Sequence, residues 1–124
     1  MMLRPPRYGS NRPRENVLDY ELAQEQAAAL GRLGRALENA LAALSDYDHA
    51  RAERGEELAA PGSPAAAVRE RLVQDAGDAL WRFVVQREAC GLCDQRLIVR
   101  EYCIPAEVQD RMGVFGGARR PASA

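Results

Sequence analysis

Apolar residues recur through the first half of the chain at Leu18, Leu22, Ala29, Leu33, Leu37, Ala40, Leu44 and Tyr47, with Leu30 and Leu41 widening the stripe. These steps follow the helical period and predict one long α-helix. Asn16 is the expected N-cap with Asp19 in the first turn, where unpaired amides and the positive dipole end favour both. Nothing breaks the pattern until Gly55, so this helix should run about 38 residues, or roughly 57 Å. In "PGSPAAAV" Pro61 and Gly62 interrupt, Ser63 can cap, and Pro64 suits the first position of a second helix. Val68, Leu72, Ala76, Leu80, Phe83 and Val84 then form one face, and Val73, Trp81 and Val85 extend it. That predicts a helix buried on more than one side, ending near Cys90 with Gly91 in a left-handed turn. Two shorter helices are expected over 95–102 and 105–112, the second closed by Gly113. No segment shows a sustained period-two alternation.

The expected fold is all-α: a long antiparallel helical hairpin around the 55–63 loop, plus two short C-terminal helices folding back against the N-terminal half of the first. A single helical domain should cover residues 16–113. Residues 1–15, "MMLRPPRYGSNRPRE", combine three Pro with four Arg and read as a flexible basic arm. Residues 114–124 read as a flexible tail.

Composition changes the picture in one respect. Of the 124 residues 47% are hydrophobic, which suits a globular chain, but 22 are Ala against one Trp and two Phe. Each buried position therefore contributes little apolar area, and the core should be thin. A thin helical core is usable where backbones approach closely or where two chains pool their faces, so a homodimer is expected. Gly31 and Gly34 in "LGRLGRAL", with Val73, Trp81 and Val85, are the candidate interaction residues, for close packing within the chain or across a dimer. Net charge is −1 with all 17 basic residues Arg, which points to coding bias more than to an anion-binding device. No stretch approaches the roughly 18 apolar residues of a membrane span. The expected location is the cytoplasm, where three Cys would be free thiols or ligands.

Candidate chemistry centres on "QREACGLCDQR", which holds Cys90 and Cys93, with Cys103 ten residues on. In the hairpin register, His49 should lie about 30 Å from the thiols, beyond the reach of a Cys3His zinc site. Cys90 falls at a helix C-terminus, where the dipole disfavours a thiolate, and no strand precedes the motif as thioredoxin-like chemistry requires. The preferred reading is structural, with no metal or cofactor and with Cys90, Cys93 and Cys103 as the fallback ligand set. Ser45, Asp46 and His49 imitate a triad or half of a di-iron site, but a continuous helix offers no oxyanion donors and no bridging acids stand opposite. "QRLIVREYCIPAEVQDRMG" has the outline of helix, turn, helix. Its second helix offers Glu107 and Asp110 against Arg111 alone, which opposes phosphate contact, so nucleic acid is a weaker expectation than protein.

The run "NVLDYELAQEQAAALGRLGRALENALAAL", with "ALWRFVVQREACGL" and "REYCIPAEVQDRMG", resembles a family of short uncharacterised α-helical proteobacterial proteins, a domain of unknown function. The likeness covers roughly residues 16–113 and implies a helical fold without implying any chemistry. The expectation is a non-catalytic interaction or assembly module that binds a protein partner or itself. The alternatives are a nucleic-acid-associated regulator using the basic arm and a thiol or metal protein using the three Cys.

Overall fold

The computed structural model describes residues 7–113, with side chains from residue 16 onward, and all four of its elements are helices. They are α1 (Arg7–Glu53), α2 (Pro64–Ala89), α3 (Gln95–Glu101) and α4 (Ala106–Asp110). The expected tail at 114–124 and residues 1–6 of the expected arm lie outside the described residues. α1 begins nine residues before the expected Asn16 cap, so the helix continues through half of the segment read as an arm. The Pro-rich composition suggested a break, yet α1 runs through Pro13, which lacks the N–H that would reach the Gly9 carbonyl.

The chain reverses where expected. Glu56 and Gly55 donate backbone N–H groups to Arg51 and Ala52, closing α1 with Gly55 at φ +74°. Ser63 caps α2 by accepting the Ala66 N–H at 3.1 Å, and Pro64 opens the helix. The two helices run antiparallel in a register that two contacts fix. Arg69 meets Asp48 at 2.9 Å, and Phe83 comes within 3.5 Å of where a Cβ on Gly34 would stand. Paired residue numbers therefore sum to 117, which sets Ala89, the last residue of α2, beside residue 28.

α2 is the central element. Leu80, Phe83, Val73, Ala76, Ala79 and Val84 are buried on it, joined by Leu37 and Leu44 from α1 and by Ile98, Ile104 and Val108 from the C-terminal segment. Gly77 makes the second packing possible: a Cβ there would stand 2.7 Å from Arg111 Cβ and 3.0 Å from its carbonyl group. Arg111 then reaches over α2 to pair with Glu70 and to donate to Gln74 Oε1 at 3.3 Å. Val68, expected on the core face, is 49% exposed because it lies round the helix from α4.

The short helices also take a different course from the expected one. Tyr102 stacks edge-on against Phe83 with ring centroids 5.6 Å apart, and Glu107 reaches Arg69. The segment thus crosses from the middle of α1 towards the loop end of the hairpin, against the C-terminal half of α1 instead of its N-terminal half. Gly77→Ala is expected to destabilise the fold by about 1–3 kcal/mol through overpacking, despite a helix-propensity gain of about 1 kcal/mol. Urea unfolding followed by circular dichroism measures it.

Candidate interaction surface

The three thiols sit at helix ends. Cys90 caps α2, and Gly91 at φ +87° lets the amides of Gly91 and Leu92 reach back to the carbonyls of Glu88 and Arg87. The apolar contact that often completes this ending is missing here, since the residue whose carbonyl Leu92 reaches is Arg87 and Leu92 stays 44% exposed. α3 ends in the same way with Cys103 in the left-handed position at φ +51°, where glycine is the usual occupant. There Ile104 is buried and Val99 packs on the core, so the apolar contact is made and holds Cys103 in a conformation that costs a side chain about 1 kcal/mol. Cys103→Gly is therefore expected to raise stability by about 0.5–1 kcal/mol, read as a higher midpoint in urea.

Cys103 also corrects the separation expected between His49 and the thiols. Because the segment after α3 runs towards the hairpin loop, Cys103 and His49 line one cleft of about 510 Å³ with Ser45, Tyr102, Arg69 and Glu107. Cys90 stays at the far end, opposite residue 27 in the observed register. Within the cleft Ser45 bonds with His49, and Arg69 with Asp48 and Glu107. His49 Nδ1 lies 2.9 Å from the Ser45 carbonyl, to which it donates, so it is not free to accept the Ser45 hydroxyl proton. Among the described residues no three of His, Cys, Asp and Glu are grouped to hold a metal ion.

Arg69 forms the electrostatic centre of this end. Its guanidinium meets Asp48 at 2.9 Å and Glu107 at 2.7 Å, tying α1, α2 and α4 together. Hydrogen bonds from Arg69 hold both carboxyls below their ordinary range, and those two bonds, Glu107's first, raise Arg69 in turn. A carboxyl depressed in the folded state stabilises fully above its unfolded pKa and loses that contribution as pH falls through the folded value. Stability should accordingly decline below about pH 4, and Arg69→Ala should flatten that decline while costing about 1–2 kcal/mol at pH 7. Urea titrations at both pH values check this.

The helix-turn-helix outline does not become a reading head. α4 has five residues, its Val108 is fully buried, and its Glu107 is committed to Arg69. The side chains of the basic segment at 4–14 lie outside the described ones.

The expected interaction residues divide. Gly34 and Val73 are buried inside the chain, the former under Phe83 and Tyr102. Gly31 is half-buried beside the Arg35 side chain. Trp81 and Val85 remain 37% and 43% exposed, with Trp81 lying along Gly113.

The larger unpartnered surface is elsewhere. α1 has 47 residues and α2 only 26, so residues 7–27 extend about 30 Å past the end of α2. Every residue from Asn16 to Glu25 is exposed, including Val17, Leu18, Tyr20 and Leu22 at 55–65%. At 100° per residue, Leu18, Leu22, Ala29, Leu33, Ala36 and Ala40 fall within about 60° of one another, about 90° round α1 from the Gly34, Leu37, Leu41 and Leu44 line. This flank points away from Tyr102 and Cys103. On α2, the exposed Val68 and the half-buried Leu72 likewise lie about 140–180° from Gly77 and hence from α4. One face of the hairpin is covered by the C-terminal segment, while the other presents a Leu- and Ala-rich strip that runs on along the overhang. The sequence signal was present, since Leu18 and Leu22 begin the predicted stripe, but a stripe alone does not say where its cover stops. Among the described residues no helix is long and apolar enough to cross a membrane. Compared with known proteins, the chain matches no family model, no curated protein and no solved structure.

Proposed function

We propose that this chain is a non-catalytic helical interaction module whose working surface is the uncovered flank of α1. The observation that carries the reading is the exposure of Leu18 and Leu22, at 58–59%, on the part of α1 that extends past the end of α2. Large apolar side chains gathered on one strip mark an association surface more often than scattered single ones do. The overhang adds little to the fold of its own chain, so its apolar positions are best explained by a partner. The polar groups of the clefts around Arg69 hold the hairpin together and are left with no evident chemical task. Three free thiols fit a reducing compartment, for which the cytoplasm is the simplest assignment.

A Leu18→Asp/Leu22→Asp variant separates binding from folding. Both positions are exposed, so the urea midpoint should move by no more than about 0.5 kcal/mol equivalent. Cross-linking in the native cell should trap the wild-type chain in a defined complex and leave the variant uncomplexed. A variant that keeps every complex of the wild type contradicts the reading.

A further inference from the structure

We infer that the occupant of this flank is a second copy of the chain, with the two α1 helices antiparallel and paired residue numbers summing to about 54. The inference rests on the interaction reading above and names its partner. Charge distribution along α1 argues for it. Residues 16–28 carry Asp19, Glu21 and Glu25 and no base, while residues 29–36 carry Arg32 and Arg35 and no acid. All five side chains are exposed. A surface divided in this way is complementary to itself when one copy is turned end for end, which is the self-complementarity a two-fold interface requires.

The apolar positions agree with the same register. Leu18 meets Ala36 of the second copy, so a large side chain faces a small one. Leu22 comes beside Leu33, and Gln26 beside Ala29 near the two-fold axis. Glu21 and Arg32 lie within about 20° of each other on the helical wheel, on the edge of the strip, where charges at flanking positions set helix orientation. The register therefore brings Glu21 of each copy opposite Arg32 of the other, twice over. In an in-register parallel pair the two-fold axis runs along the helices, so the edge carrying Glu21 and Arg32 in one copy faces the opposite edge of the other and the Glu21–Arg32 pairing is lost.

Each overhang in this arrangement lies along the open face of the other hairpin, and the four long helices form a two-chain bundle. The 19 positions from Leu18 to Ala36 give a shared length of about 28 Å. An α1–α1 contact of that length buries on the order of 1,000 Å², the lower edge for a specific interface, so the dimer should dissociate on dilution.

Sedimentation equilibrium of the full chain over a wide concentration range tests this, and the monomer mass is 13.6 kDa. The wild type should approach twice that mass at high concentration. Glu21→Arg alone and Arg32→Glu alone should each weaken association at least tenfold, and the two combined in one chain should restore it. Single reversals that leave association unchanged overturn the antiparallel register and favour a parallel pair. A monomer mass at every concentration overturns the second copy as occupant. The interaction reading itself then stands or falls separately, on whether Leu18→Asp/Leu22→Asp abolishes the cross-linked complex in the cell.

Discussion

The antiparallel packing of α2 along α1 is held in one register by an ionic contact near the loop, Arg69 with Asp48, and by a steric one further along, Phe83 over the bare backbone of Gly34. That register fixes where α2 stops relative to α1. Because α2 is 26 residues long, about 30 Å of α1 extends past its end, and Leu18 and Leu22 stand exposed on that length. The same register places the α3–α4 segment on one face of the hairpin only. Gly77 allows the backbone of Arg111 to approach α2 on that face, while on the other Val68 stays 49% exposed. One-sided cover is thus a consequence of element length and of where the small residues lie.

Much of this was legible in the sequence because the relevant signals are local. The hairpin, the break at Gly55, the Ser63–Pro64 helix start and the left-handed Gly91 ending follow from residue types at fixed offsets, whereas the second buried side expected of α2 is only partly made, with Val73 buried and Trp81 and Val85 exposed. Non-local geometry was not legible. The path of α3 and α4 depends on Tyr102 docking beside Gly34 and on Glu107 finding Arg69, two contacts between residues 38 or more positions apart in sequence. For that reason Cys103 was placed far from His49 when it shares a cleft with it. The start of α1 was misplaced for a different reason: local Pro and Arg content was weighed against a helix that propagates in from a strongly periodic segment.

The thiols show how a motif can be present without its chemistry. Cys90 caps one helix, and Cys103 occupies the left-handed residue after another, a position that backbone geometry reserves for glycine and at which nothing in the structure calls for a thiol. Cys93 lies in the exposed connection between α2 and α3. The strain at Cys103 is supported by the burial of Ile104 next to it, which secures the chain where the segment turns towards the loop end. His49 is likewise satisfied locally, by the carbonyl of Ser45 one turn back.

What the fold leaves unsatisfied is apolar surface, and the account turns on whether association covers it. Amide hydrogen exchange of residues 16–27, followed as a function of protein concentration, reads this directly, because a helix of about this length without tertiary support is marginal in water. Protection across that overhang should rise with concentration while the Leu37–Leu44 and Leu80–Val84 core stays constant. Exchange at residues 16–27 that is equally fast, or equally slow, at every concentration would contradict the account.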